Sequence, residues 1–364
     1  MKFSVSKDKL LEGLAIVQNV VSTRTTLPIL SNVLLQAGDG EVRLTTTDLD
    51  VGVRGRVEAQ VERTGGTTLP ARRLFAIVRE LPASEIYFDV DSKNLASIRS
   101  GSSYFKILGL PEEEFPALAR FENPKVFTIG QKELRDGLKK TSYAISTDET
   151  RYVLNGILCS FKENKLTLVA TDGRRLALVD LELEFPRSQE VDIIVPTKAV
   201  AELQRLLHDE GEVKLSIGEN QISFELNSTL LVSKLIEGNY PNYRQVIPPE
   251  AKERITLERE TLLNAVRRVA LLASEKSNSV KLIFSKSNID IVATTPDVGE
   301  AKESLPVMYK GREFSIAFNP EFLMAPLRNL PNDEIYFDLI DEMSPGIIKI
   351  PGPFLYVLMP MRLS

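Results

Sequence analysis

The nine residues Leu81-Pro82-Ala83-Ser84-Glu85-Ile86-Tyr87-Phe88-Asp89 return almost unchanged as Leu330-Pro331-Asn332-Asp333-Glu334-Ile335-Tyr336-Phe337-Asp338. The copies stand about two thirds of the chain apart, a spacing that fits three units of roughly 120 residues, each large enough for its own core. The middle unit is the most diverged. A self-similar chain with few catalytic residue types reads as a scaffold before it reads as an enzyme.

The repeat can be followed along the chain. The first unit opens Phe3-Ser4-Val5, then polar Ser6-Lys7-Asp8-Lys9, then Leu10 and Leu14. The second opens Phe127-Thr128-Ile129, then Gly130-Gln131-Lys132-Glu133, then Leu134 and Leu138. The third opens Ile255-Thr256-Leu257, then Glu258-Arg259-Glu260-Thr261, then Leu262 and Val266. Each predicts a short alternating strand followed by an amphipathic helix, with Leu10, Leu14, Val17 and Val21 marking the apolar face of the first. A second helix starts at Leu69-Pro70-Ala71, Val195-Pro196-Thr197 and Phe318-Asn319-Pro320. Proline suits a first helical turn, where its missing N–H has no partner to lose. Pro326, deep inside the third such helix, should kink or shorten it.

Alternating segments such as Val42–Thr46, Lys165–Val169 and Ile289–Ala293 read as strands, and Gly38-Asp39-Gly40 and Glu219-Asn220 as hairpin turns. Polar, proline-containing stretches near Glu122-Asn123-Pro124 and Pro248-Pro249-Glu250 divide the chain. The expected fold class is α+β: three tandem similar domains, 1–122, 126–248 and 253–364, each with two helices packed on antiparallel sheets. Three such units suit an arc, and head-to-tail contact between two chains can close arcs into a ring.

Composition narrows the chemistry. Trp is absent, and His208 is the only histidine, placed where a polar residue near a helix C-terminus is expected. The single cysteine, Cys159, follows an apolar run and reads as a buried core thiol, in keeping with a reducing cytosol. A His- or Cys-rich metal site cannot be built, and no phosphate-binding loop or dinucleotide fingerprint occurs. No apolar run reaches membrane-spanning length, and Met1–Val5 lack the pattern of a signal peptide. No cofactor is expected.

The net charge of −5 argues at first against nucleic acid. Its distribution argues the other way. Helices predicted over 6–22, 71–80, 131–146, 197–208, 258–274 and 320–329 are together net positive, so strands and loops are more acidic than the whole. Such helices either carry solvated cations or meet phosphate without sequence preference. Candidates for the second role are Arg24, Arg72, Arg73, Lys139, Lys140, Lys198 and Lys276. No helix-turn-helix, zinc finger or RNA-binding aromatic pair accompanies them, which argues against base readout.

Five segments, each weak alone, become specific in their order and spacing. They are Ser22-Thr23-Arg24-Thr25-Thr26-Leu27-Pro28-Ile29-Leu30, Arg151-Tyr152-Val153-Leu154-Asn155-Gly156, Ala170-Thr171-Asp172-Gly173-Arg174-Arg175-Leu176-Ala177, Gly238-Asn239-Tyr240-Pro241-Asn242-Tyr243 and Val357-Leu358-Met359-Pro360-Met361-Arg362-Leu363. With them the chain resembles, over essentially its whole length, the bacterial beta sliding clamp family, the beta subunits of the replicative DNA polymerase III.

The resemblance implies a non-catalytic, cytoplasmic processivity factor: a head-to-tail homodimeric ring around duplex DNA, with helices lining the hole. Tyr152 joins the implied DNA contacts. It further implies a hydrophobic pocket for short peptides of the polymerase alpha subunit, the clamp loader delta subunit and repair proteins. Carried over residue by residue, that pocket takes Leu154, Thr171, Gly173, Arg174, Arg175 and Leu176 from the second unit, with Pro241 and Val246 near the link to the third. Asn319, Phe322, Val357, Met359, Pro360, Met361 and Arg362 complete it. Arg174 stands where the family pattern has a histidine, and Ser277 where a larger apolar residue is expected.

Two readings compete. A metal-dependent nuclease or phosphotransferase would need carboxylates such as Asp48, Asp50 and Asp172 to converge. Asp48 and Asp172 instead hold equivalent places in successive repeats, which favours a turn role. A repeat scaffold that does not bind DNA is the other.

Overall fold

A computed structural model describes residues 1–21, 27–82, 84–119, 121–249, 253–273, 278–296 and 298–362. Arg24, Lys276 and Ser277 lie outside the described residues.

The opening strand of each repeat, Lys2–Ser6, Lys125–Gly130 or Glu253–Glu258, runs directly into a helix: α1 (Lys7–Val17), α3 (Gln131–Thr141) or α5 (Arg259–Val269). The second helices are α2 (Ala71–Glu80), α4 (Thr197–Leu206) and α6 (Pro320–Asn329). The strand after each second helix returns antiparallel to the opening strand of its own repeat, pairing Phe3 with Phe88, Phe127 with Leu215 and Ile255 with Phe337. The repeated nonapeptide is therefore the closing strand of repeats one and three. In repeat one its aromatic residue stacks on the opening strand, with the Phe3 and Phe88 rings 4.7 Å apart.

The same closure caps the first helices. Neither Ser6 nor Glu258 caps its helix with a side chain. The first helical N–H groups of α1, α3 and α5 donate instead to the carbonyls of Ser84, Gly211 and Asp333, just before the closing strands, at 3.2, 2.9 and 2.8 Å. An otherwise unpaired helix-end donor is thus satisfied by the chain's return. All three first helices end sooner than apolar periodicity suggested and continue as a tighter turn, at Gln18–Val20, Ser142–Ala144 and Ala270–Leu272. Leu10, Leu14 and Val17 are buried on α1 as expected.

α6 spans the residues expected of it. It holds ten residues with Pro326 inside it, as long as α2 and α4, so the proline does not shorten it. Pro326 cannot donate to the carbonyl four residues back, that of Phe322. The buried hydroxyl of Tyr356 donates to this carbonyl instead, at 2.7 Å.

Contacts divide the chain into two compact units, Met1–Lys132 with Lys198–Leu235, and Glu133–Thr197 with Ile236–Ser364. Each contains one eight-stranded antiparallel sheet that runs through two repeats. In the first unit, Val51–Glu58 of repeat one pairs with Thr229–Lys234 of repeat two. In the second, Arg175–Glu182 of repeat two pairs with Phe354–Leu358 of repeat three. A five-stranded sheet completes the first unit and a four-stranded sheet the second. The hairpin at Asp39-Gly40 has both residues at positive φ, 50° and 75°, the twist a two-residue turn requires. Among the described residues, no helix is long and apolar enough to cross a membrane.

Candidate functional site

The Asp172 loop of the second unit is fixed by its own side chains. Asp172 Oδ1 accepts the N–H groups of Arg174 and Arg175 at 2.9 and 3.1 Å. Thr171 Oγ1 accepts the Gly173 N–H at 3.1 Å and donates to the Arg175 carbonyl. Gly173 takes φ +85°, a region glycine enters without cost. In the first unit Asp48 accepts the N–H groups of Asp50 and Val51 at 3.0 and 2.8 Å, and Thr47 repeats the threonine contacts. Both aspartates therefore serve turns, as their equivalent positions suggested. Burial alone would raise the Asp48 carboxyl, but hydrogen bonds from Lys198 and the Val51 N–H hold it below its ordinary value.

The loop delivers Arg175 and Leu176 to the start of a strand. Arg175 turns onto Asp172, with Nε 3.0 Å from Oδ2, and its guanidinium lies 4.3 Å from the centre of the Phe322 ring. A shielded cation thus links the loop of repeat two to α6 of repeat three. Leu176 pairs across the sheet with Val357. These two, with Leu158, Val169 and Ile194, form a buried cluster against which Val153, Ile236, Tyr240, Tyr243 and Ile247 are only partly covered. Burying such a side chain is worth about 1.5–3 kcal/mol, and the half-covered ones keep part of that gain for whatever covers them next.

The C-terminal segment borders the loop. The Met359 N–H donates to the Arg174 carbonyl at 3.0 Å, and the Met361 N–H to Ala317 at 2.7 Å. Met359 and Arg362 are exposed, while Pro360 and Met361 are half-buried. Methionine at such a rim adapts to varied side chains.

The remaining expected pocket residues are placed as follows. Leu154 is buried, and Gly173, Arg174, Pro241 and Val246 are exposed. The packing against the cluster comes from Tyr240 and Ile247, each one residue away from Pro241 and Val246. Asn319 caps α6, with Oδ1 accepting from the N–H groups of Glu321 and Phe322, so it positions Phe322.

Sequence reasoning missed Arg151, whose Nη1 donates to the Asp172 carbonyl at 3.2 Å, and Tyr240, Tyr243 and Ile247. A signal was present: Glu-Phe-Pro-Ala-Leu at 114–118 parallels Asn-Tyr-Pro-Asn-Tyr at 239–243, marking the linker after each of the first two repeats.

Of the expected phosphate contacts, Arg72 and Arg73 are exposed on α2, Lys139 is exposed and Lys140 half-buried on α3, and Tyr152 is exposed. Lys198 is engaged with Asp48 and with the Val20 carbonyl. Cys159 is a core residue, its thiol pushed up to about 12 by burial.

Models of the N-terminal, central and C-terminal domains of the DNA polymerase III beta subunit match residues 1–119, 128–242 and 244–362. The beta sliding clamp of Chlamydia muridarum is 38% identical over 100% of this chain and 99% of its own. The crystal structure of the Bacillus subtilis sliding clamp superposes with a TM-score of 0.96 at 31% identity, covering 100% of both chains. A Bartonella birtlesii sliding clamp bound to griselimycin gives a TM-score of 0.95 at 37% identity, again covering 100% of both. The chain belongs to the DNA polymerase III beta subunit family, the bacterial beta sliding clamps.

Proposed function

We propose that the half-covered cluster around Leu176 and Val357 is where this chain holds the peptides of its partners, and that two chains close head to tail into the ring. The chain is a DNA sliding clamp and replication processivity factor, a non-catalytic subunit of DNA polymerase III. It works with DNA and the polymerase, and tethering raises the polymerase's effective concentration at the template without strong affinity for DNA.

The observation that carries the peptide site is apolar surface left partly open beside a rigid loop: Tyr243 and Ile247 half-covered against the cluster, and exposed Met359 bonded to the loop at Arg174. The proposed pocket comprises Leu154, Thr171, Gly173, Arg174, Arg175, Leu176, Pro241, Val246, Asn319, Phe322, Val357, Met359, Pro360, Met361 and Arg362. The proposed ligands are short segments of the polymerase alpha subunit, the clamp loader delta subunit and repair proteins.

Two edge strands support head-to-tail pairing. Ser103–Leu108 ends the five-stranded sheet with Tyr104, Phe105 and Leu108 exposed, and Gly299–Pro306 ends the four-stranded sheet near exposed Leu271 and Val298. Open apolar edges invite pairing with another chain, and two unlike edges suit a heterologous contact that closes into a ring. The proposed domains remain 1–122, 126–248 and 253–364, the proposed DNA contacts Arg24, Arg72, Arg73, Lys139, Lys140, Tyr152, Lys198 and Lys276, and the proposed compartment the cytoplasm.

The deciding experiment removes Met359–Ser364. Binding of a polymerase-derived peptide should be lost while sedimentation still gives a dimer of twice 40.6 kDa. Unchanged peptide affinity would refute the site. A chain that stays monomeric at micromolar concentration, or is retained equally on linear and circular DNA, would refute the closed ring.

A further inference from the structure

The first unit contains a second cleft of the same construction. Its loop Thr47–Val51 has the hydrogen bonds of Thr171–Arg175. Gly52 pairs with Val232 as Leu176 pairs with Val357. The Lys234 N–H donates to the Asp50 carbonyl at 2.8 Å, as the Met359 N–H does to Arg174. By this register Gly52 stands for Leu176 and Lys234 for Met359. The linker that follows, Phe115-Pro116-Ala117-Leu118, stands for Tyr240-Pro241-Asn242-Tyr243.

The two clefts differ in what covers them. A Cβ added to Gly52 would lie 2.3 Å from Leu118 Cδ2, so Leu118 reaches the floor position that a side chain fills in the other cleft. Three residues on, a Cβ added to Gly218 would lie 2.6 Å from Phe121 Cδ1. The residue matching Gly218 after the closing strand of repeat three is Ile340. Two glycines thus let two linker side chains approach the sheet, the use glycine has where something must come close. Phe115 is buried at the start of the same stretch. The rim is charged where the other is apolar: Lys234 Nζ lies 2.9 Å from Asp50 Oδ1. What remains beside the linker is a cavity of about 130 Å³ lined by Leu49, Asp50, Pro116, Leu118 and Lys234 among others.

We infer that the linker residues Phe115–Ala119 and Phe121 act as an intramolecular ligand, seated in cis at the junction of repeats one and two where the matching cleft of repeats two and three stands open to a partner's peptide. Each chain therefore offers one open cleft, although its repeats build two. The inference deepens the proposed function and rests on it for the role of the open cleft. A covalently attached segment competes at high effective concentration and excludes free peptides of similar chemistry.

Thiol labelling of the full-length chain tests the seat itself, since buried Cys159 stays silent. The Leu118→Cys chain should label several-fold more slowly than the Ala117→Cys chain, because Leu118 is half-buried against Gly52 while Ala117 is exposed. Gly52→Leu should abolish that protection. Equal labelling at 117 and 118 overturns the inference, as does protection unchanged by Gly52→Leu in a folded chain. If Gly52→Leu fails to fold, the comparison of 117 with 118 still decides. In a second measurement, a synthetic peptide of residues 114–124 should bind the Leu118→Ala/Phe121→Ala chain and not the wild type. Binding to neither overturns the claim that the cleft is a ligand site. Truncation at Met359 reports on the other cleft, so failure of the proposed function is distinguishable from failure here.

Discussion

The hydroxyl of Tyr356 donates to the carbonyl of Phe322 at 2.7 Å, in the place of the helix hydrogen bond that Pro326 cannot make. The C-terminal strand thereby completes α6 and fixes the turn that presents Phe322 to Arg175. Tyr356→Phe should cost about 1–3 kcal/mol, because it leaves a part-buried helix carbonyl without this donor. Adding Pro326→Ala restores a donor within the helix and should recover much of that loss. Urea unfolding of the two single variants and the double variant checks this, and simple additivity would show that the two positions are uncoupled.

Arg175 holds Asp172 with one edge and covers the Phe322 ring with its face. A lysine can keep the ion pair but has no planar group to stack. Arg175→Lys is expected to lose about 0.5–2 kcal/mol of stability, with a smaller loss in the Phe322→Leu background. An equal loss in both backgrounds would remove the stack as its cause.

Asp338 closes the repeated nonapeptide in repeat three and is buried, with Arg254 at 2.6 Å and Lys349 at 3.1 Å. Burial alone would raise its carboxyl, but the hydrogen bonds from Arg254 and Lys349 win and hold it below 3.8. A depressed folded value contributes stability above the unfolded value, and that stability is lost as pH falls through the folded one. Asp338→Asn should therefore cost about 1.5–3 kcal/mol near neutrality, the worth of hydrogen bonds to a charged group. The gap between variant and wild type should close in acid below 3.8. A gap independent of pH would assign the effect to packing. Asp89, the same position in repeat one, is exposed with Arg63 at 2.8 Å, so Asp89→Asn should change stability little.

Much of this was legible in the sequence because the repeat samples the same fold three times. Six helix positions and the hairpin at Asp39-Gly40 follow from periodicity and turn chemistry, and the shared aspartate positions already separated a turn role from metal binding. The early ends of α1, α3 and α5 were not legible, since a tight turn keeps the apolar spacing of a helix. The rescue of Pro326 by Tyr356 depends on residues thirty positions apart meeting through the sheet. The division of contacts was hidden for the same reason: each eight-stranded sheet is built from two repeats. Arg151, Tyr240 and Ile247 were left out of the expected pocket because their roles come from packing on the Asp172 loop and the Leu176 cluster, which no local pattern records.

Among the proposed DNA contacts, Lys139 and Lys140 differ from Lys198, which is already engaged with Asp48. Replacing both Lys139 and Lys140 by Met should lower the salt dependence of DNA binding by up to about two charges and leave stability nearly unchanged. Lys198→Met should instead lower stability by removing the partner of a half-shielded carboxylate, with a smaller effect on the salt slope. Salt titrations of DNA binding beside urea unfolding separate the two, and identical behaviour of the variants would refute the distinction.

Leu49 and Gly173 hold the same place in the two Asp loops, at φ +80° and +85°. A leucine in left-handed backbone costs roughly 1–2 kcal/mol, whereas glycine pays about 0.4–1 kcal/mol through the entropy of the unfolded chain. The first cost exceeds the second, so Leu49→Gly should stabilise the chain by several tenths of a kcal/mol, the more readily because Leu49 is an exposed side chain. Gly173→Leu should do the reverse and more, since a Cβ there would meet Arg151 Nη1 at 2.7 Å. The arginine would have to leave the Asp172 carbonyl it now serves. Reciprocal shifts in urea midpoint at unchanged slope are the expected reading. Destabilisation by Leu49→Gly would mean that packing of the leucine outweighs its backbone strain.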